Sequence, residues 1–522
     1  MHLLSITNVD YGMMSILFAL ILITAYCFRR KNRTSNDFLL AQTHYLNPVV
    51  IFSALGGLGL VEFIVASSYG AFGGLTAIYL ALPTVIVLSV IFDYRAKIAA
   101  PLRNVLNDDK PLLKTQVFLA CYSLVMLLAA GIAISVMVGM LYSLLGWQFG
   151  NSTLSLMGIV LVFILLGGVV GVFYNQAIVN VVMVITLIVV LFIANHNLPT
   201  NLVSSLQTVA SENSLAKDSF INISHFSMTQ LWLVIVAIAG LLILNPLWWS
   251  KAQKLSQRKV GWGRVIQWAI LALMILLGVF ALATPGKQPV LHGQKVMTQQ
   301  TRLADGSLGF VVKVVPSDGK INQLGIIPKQ MNDENELAAT GSSGNPNDFI
   351  SAGMVMTGTA LSLAFVSLYV IMSLFIKTMS ESIAFITQAL IKGFYAPYFN
   401  KSGDDLENLW AARVFIFALS IVMIAVGLVL YKFYDLYFAL SLLLVLAFPL
   451  ALNFLGLSKT WLVDVINYLS LVVIWALVGL PNVPSLLPLI QFPSLAAFVV
   501  YLTGGSFLFY GLSWLILTAW RR

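Results

Sequence analysis

Apolar runs of about twenty residues recur along nearly the whole of this chain, and about twenty is what a helix needs to cross the hydrocarbon core of a bilayer. On that ruler spans fall near 11–28, 46–69, 72–93, 115–145, 153–173, 177–195, 230–250, 265–284, 351–376, 409–430, 434–456, 460–480 and 495–519, thirteen in all. Only 9% of the 522 residues are charged, whereas a soluble surface carries about 25%. The chain therefore reads as an all-α integral membrane protein whose first partner is the lipid bilayer. The run 11–28 is too long for a signal h-region and lacks a small-residue cleavage site, so it reads as a permanent span.

The net charge of +9 invites a nucleic-acid reading, but its distribution argues for topology instead. With the N-terminus outside, inside segments hold Arg29, Arg30, Lys31 and Arg33, then Arg95 to Lys114, Lys251 to Arg264, Lys377, Lys392, Lys401, Lys459, Arg521 and Arg522. Among short outside segments only Lys217 and Lys432 count against that orientation. The expectation is no nucleic-acid partner, a cytoplasmic C-terminus and a bacterial inner membrane. Cys27 and Cys121 lie in apolar stretches, and His2, His44, His196, His225 and His292 lie outside the apolar cores, so neither a disulfide framework nor a metal cluster is implied.

Two outside segments are polar, 196–229 and the longer 285–350. The second alternates from Gly309 to Val315 before Pro316-Ser317-Asp318-Gly319, which predicts a small β-hairpin. It reads either as a docking site for an outside protein partner or as an insertion that surface loops tolerate at little cost. The remaining segments are an N-terminal span with its basic linker (1–45), five helices (46–195), two helices (230–284), three more (351–456) and two C-terminal spans (457–522).

Spans 2–6 and 7–11 form two sets of five. Five is odd, so the sets run in opposite directions, as in inverted-repeat transporters that bind substrate where the first helix of each repeat is interrupted. Span 2 carries Gly56, Gly57 and Gly59 at mid-membrane, and span 7 carries Asn245-Pro246 inside its apolar run, where proline removes a helix hydrogen bond.

Several segments, in order, resemble the solute:sodium symporter family. Thr34 to Ala41 is similar to its "DFFLAG" segment, and Phe52 to Gly74 to its broken helix with an acid-aromatic pair, here Glu62-Phe63. Gly167 to Ile178 resembles "GG-x-x-AV-x-x-TD-x-(I/V)-Q", Asn245 to Lys251 resembles "NQ-x-x-x-QR", and Lys377 to Pro397 is similar to the "SSLDS…T-x-DIY-x-P" region. The likeness runs from about residue 34 to about 456. It implies a cation site made of backbone carbonyls near Leu55 and Leu58 and a hydroxyl pair, which by this alignment falls on Lys377 and Thr378. The acid of a second cation-coupling position falls on Gln176. One hydroxyl is thus replaced by an ammonium and one carboxylate by an amide, which puts ordinary sodium coupling in question. No other cofactor is implied.

Glu62 lies mid-span, where a carboxylate costs roughly 3 kcal/mol or more on insertion scales. It reads as a substrate or proton site with Gly56 and Gly57 at the break, or as a structural hydrogen bond that holds the break open. Lys377 reads two ways: ending span 9 and snorkelling to the interface, or facing the cation pocket and pairing with Glu62. Glu381 is a rival partner one turn on, though Lys before Glu is the weaker orientation. Asn245, Trp248 and Trp249 line a solute path or belong to an interfacial aromatic belt. Asp93 and Asp464, near span ends, are expected to be solvated.

The expected function is a secondary carrier of a small organic solute working by alternating access, with coupling that is proton-linked or sodium-independent. The alternative is a sensor or assembly subunit that keeps the transporter fold and has lost transport. No phosphate-binding Gly-Lys loop argues for an ATP-driven pump, and no nucleophile–base constellation argues for an enzyme.

Overall fold

The computed structural model describes residues 58–98, 113–145, 149–196, 200–212, 220–222, 228–246, 257–283, 295–302, 308–315, 322–328, 361–400, 404–433, 436–457, 460–479 and 495–520, with short pieces at 15–16, 19, 21–27, 34, 38–39 and 198. Its helices are α1 (Leu60–Gly73), α2 (Leu75–Ile98), α3 (Leu113–Leu145), α4 (149–167), α5 (169–196), α6 (Leu202–Glu212), α7 (Met228–Ile243) and α8 (Gln257–Ala283), then α9 (Leu361–Leu390), α10 (Asp405–Phe433), α11 (Leu436–Phe454), α12 (Trp461–Gly479) and α13 (Leu495–Trp520). Among the described residues seven helical stretches are long and apolar enough to cross a membrane, one of them covering both α4 and α5, and three shorter apolar helices accompany them. This is a helical integral membrane protein.

Two sets of five helices pack in a pattern that is symmetric under exchange of the sets. The exchange matches α1 with α7, α2 with α8, α3 with α9, α4 with α10 and α5 with α11. Accordingly α1 packs on α8 and α7 packs on α2, while α3 packs on α10 and α11 and α9 packs on the α4–α5 stretch. The pairs α3–α9 and α2–α8 map onto themselves, and both are in contact. Small residues allow the closest of these approaches, as expected where lipid supplies no hydrophobic drive between helices. A Cβ on Gly131 of α3 would come within 2.6 Å of Val426 on α10, and one on Gly427 of α10 within 2.6 Å of Ile134 on α3.

The structure moves two boundaries. The turn between α4 and α5 falls at Gly168, whose φ of 55° glycine tolerates, rather than between 173 and 177, which is helical. Both flanks are apolar, so hydropathy has no dip to register. Span 9 also does not stop at 376. It runs unbroken through Leu390, then through a π-helical turn, Ile391–Tyr395, into Ala396–Tyr398. Every residue from Val370 to Ala389 is buried, although this segment carries Ser373, Lys377, Thr378, Ser380, Glu381, Ser382, Thr387 and Gln388. The outer helix α13 shows the opposite pattern, with Leu508, Leu512, Leu515 and Ile516 exposed as lipid-facing residues should be.

Within 285–350, three strands form an antiparallel sheet: β1 (Lys295–Arg302), β2 (Leu308–Val315) and β3 (Asn322–Pro328). The alternating stretch 309–315 is its central strand and pairs on both edges, where a two-stranded hairpin was expected. The register shifts between Val312 and Lys313.

Candidate functional site

The glycine-rich centre of span 2 ends as a helix start. Gly59 is extended (φ −97°, ψ −175°) and α1 begins at Leu60, so its first amides point into the middle of the bundle with no helical partner. Two of them find side chains. The Gly59 N–H donates to Glu62 Oε2 at 3.1 Å, and the Leu60 N–H donates to Thr378 Oγ1 on α9 at 2.8 Å. The Thr378 hydroxyl in turn donates to the Leu374 carbonyl at 3.0 Å. Glycine is required at 59 because a Cβ there would overlap Thr378 Oγ1 and stand 2.7 Å from Glu62 Oε2. The Glu62 carboxylate sits at the positive end of the α1 dipole, where an anion is favoured.

The second repeat breaks in the matching place and the opposite sense. Helix α7 ends at Ile243 and Asn245 is not helical, since Pro246 offers no N–H to continue the ladder. The Ile243 carbonyl left over is taken by the Tyr122 hydroxyl of α3, and the Leu244 N–H donates back to Gly240 at 3.2 Å. Where the amide end of α1 meets the carbonyl end of α7, the bundle encloses a cavity. Its lining is Val61 and Glu62 of α1, Met126 and Ala129 of α3, Leu244 beyond α7, and Lys377, Thr378 and Glu381 of α9. The space open to the centre of a water molecule is about 10 Å³, room for about one water.

Three ionisable side chains face that space. Lys377 Nζ lies 3.3 Å from Glu381 Oε2, with both side chains under a tenth exposed. Lys377 is therefore in mid-helix and turned into the bundle, not snorkelling from a span end. It closes its pair on Glu381 rather than on Glu62. The unfavourable Lys-before-Glu order, worth a few tenths of a kcal/mol on a solvated helix, is small beside the cost of an unpaired ion out of water. Glu62 is 3% exposed and keeps the Gly59 amide.

The other expected site residues are placed as follows. Leu58 is buried immediately before the break. Asn245 is buried at the break of α7 but is not part of the cavity lining. Gln176 is buried on α5, donates Nε2 to Asn180 Oδ1 at 2.8 Å, and does not line the cavity. Leu55, Gly56, Gly57, Trp248 and Trp249 lie outside the described residues. Glu381 as the countercharge and Thr378 as the cap of α1 are geometric facts that spacing alone left open. The lysine–glutamate interval of four was their one visible signal.

Two carboxylates expected in solvent are held by neighbouring helices, Asp464 buried and Asp93 partly so. Asp464 is 2% exposed and accepts the Tyr510 hydroxyl at 2.7 Å. Asp93 on α2 accepts from Arg264 Nη2 and Nε on α8 at 2.9 and 3.3 Å, while Arg264 Nη1 donates to Gln267 at 2.6 Å. Hydropathy placed both acids at span ends without seeing the neighbouring helices that cover them.

The chain matches no known family model, and no curated protein matches it in sequence. Solved structures do match. A Na+-coupled sialic acid symporter in a substrate-bound outward-open state superposes with a TM-score of 0.66 at 11% identity, covering 97% of this chain and 96% of that one. The chain thus has the fold of that symporter. A nucleobase-cation-symport-1 family transporter in a closed conformation with bromovinylhydantoin bound matches with a TM-score of 0.43 at 10% identity over 90% of this chain and 92% of that one. A manganese transporter mutant from Eremococcus coleocola matches at 0.38 and 12% identity over 90% and 96%.

Proposed function

We propose that this chain is a secondary active transporter, a divergent relative of the solute:sodium symporters, which moves a small organic solute across the membrane by alternating access. The observation that carries the reading is the Lys377 ammonium, buried at the junction of the two broken helices and ion-paired with Glu381 at 3.3 Å. By the resemblance, that position is a sodium ligand. Here the ammonium is a cation tethered to the chain itself. A sodium ion within about 4 Å of it would meet a repulsion of roughly 4 kcal/mol at an effective dielectric near 20. The one hydroxyl retained beside it, Thr378, already accepts from Leu60 and donates to Leu374. Coupling is therefore sodium-independent. Gly56, Gly57, Glu62, Asn245 and Trp248 belong to the solute path on this reading. The chain resides in a bacterial inner membrane, N-terminus outside, and needs no cofactor.

A second reading is supported by the sheet β1–β3, an element with its own strand pairing inserted between α8 and α9. On it, the segment 285–350 docks an outside protein and the chain is a sensor or assembly subunit. One experiment separates the two. The purified protein is heated with a panel of sugars, amino acids, organic acids and nucleobases, in sodium or choline chloride and at two pH values. Binding to the native state must raise apparent stability. The carrier reading expects at least one solute to raise it equally in both salts. A shift that needs sodium overturns sodium independence, and no shift with any solute favours the sensor.

A further inference from the structure

The cavity is lined by two carboxyl groups and one ammonium, and the ammonium stands 3.3 Å from Glu381. Glu62 faces the same space with the Gly59 amide as its hydrogen-bond donor at 3.1 Å. A carboxylate offers about four acceptor positions, and the space left admits about one water. The half-charge at the amide end of α1 and the nearby Lys377 ammonium favour the anion, whereas burial out of water, the largest effect, and Glu381 across the cavity oppose it. Among the described residues the packed helices bring no further charge to the cavity lining. Helix α3 offers Met126 and Ala129, with Tyr122 beyond them engaged on the Ile243 carbonyl, and the α7 end offers Leu244. Asp93 of α2 and Arg264 of α8 are spent on each other.

We propose that Glu62 is the proton carrier of this site. Buried beside the Lys377–Glu381 pair it holds one proton, which makes the three side chains neutral in sum, and it releases that proton when the site opens to water. On opening, the Glu62 O–H bond breaks, the proton passes to water and the carboxylate remains. On closing, the reverse restores the acid. This deepens the carrier reading and rests on it: it names the proton as the ion that accompanies the conformational cycle, one per turnover. It also gives the break of α1 its switch, because Glu62 Oε2 holds the first amide of the half-helix.

The test is infrared spectroscopy of the full-length protein in lipid, without solute, with protons as the probe. A buried protonated carboxyl gives a C=O stretch distinct from that of carboxylates. The expected result is one such band at neutral pH in choline chloride, shifted by 13C-labelling of glutamate in the unaltered protein. Glu62 and Glu381 are the buried glutamates among the described residues. Glu62→Asp moves the band and Glu381→Asp leaves it in place. Removing either acid outright would free Lys377 for the other, so the Asp variants are the informative ones. Absence of the band, its displacement by Glu381→Asp alone, or its loss when sodium replaces choline each overturns the proposal. The isotope result needs no variant to fold. A band that behaves as expected in a protein with no solute flux would refute the carrier reading and leave the proton site standing. Solute flux without the band would do the reverse.

Discussion

Replacing Lys377 by methionine keeps most of the side-chain volume and removes the ammonium. Glu381, 3% exposed, then loses the partner it holds at 3.3 Å and shares a water-sized cavity with Glu62. Leaving one member of a buried pair behind costs about 3–5 kcal/mol. Unfolding entropy near 2 cal/mol/K per residue makes each kcal/mol worth roughly 1 °C of Tm in a chain of 522 residues. Lys377→Met should therefore melt about 3–5 °C below the unaltered protein in detergent at neutral pH. The sign of its pH dependence follows from which form is penalised. The orphaned group is a carboxylate, so the deficit is largest at high pH and shrinks as pH falls and Glu381 takes up a proton. Lys377→Met with Glu381→Gln removes both charges and should return to within about 1.5 kcal/mol of the original, as volume-conserving core changes do. A single variant that melts unchanged at every pH, or a double variant no better than the single, refutes the description of these residues as a buried, mutually compensated pair.

Three further outcomes are expected. Thr378→Val keeps the shape but leaves the Leu60 N–H without its acceptor, a cost of about 1–3 kcal/mol, whereas Thr378→Ser keeps the acceptor; thermal melts of the two separate a hydroxyl effect from a packing effect. Gly59→Ala forces a methyl onto Thr378 Oγ1 and toward Glu62, and should destabilise by about 1–3 kcal/mol while Gly504→Ala, with nothing near its Cβ, changes little. Asp93→Asn strands the buried Arg264 guanidinium between α2 and α8 and should cost about 3–5 kcal/mol, with Arg264→Leu added in the same chain recovering part of it.

How much of this was legible in the sequence depended on whether a feature announces itself locally. The apolar ruler found the helices, and glycine clustering at 56–59 and Asn245-Pro246 marked both breaks, because a glycine-rich run and a proline leave local signatures. Gly168 left none: an apolar flank on each side hides a turn made by one residue in a positive-φ conformation. Lys377 misled the ruler for the opposite reason. Hydropathy ends a span at the first charge, but α9 is enclosed on all sides and can carry Lys377 and Glu381 because each neutralises the other. The same blindness to neighbours made Asp93 and Asp464 look solvated, when Arg264 pairs with the first and Tyr510, on a helix far away in sequence, bonds the buried second. Thr378 is the sharpest case. Its hydroxyl was legible as a cation ligand by resemblance, yet its contact with the Leu60 amide, 318 residues away, belongs to the three-dimensional fold alone.

The central claim is that a tethered ammonium takes the place of sodium in a proton-linked carrier. The most direct test reconstitutes the protein in liposomes and follows entry of a solute found by thermal stabilisation, under an imposed proton gradient or an imposed sodium gradient of equal size. The account predicts accumulation driven by the proton gradient, indifferent to sodium and abolished by Glu62→Gln. Accumulation that follows the sodium gradient and ignores pH would contradict it.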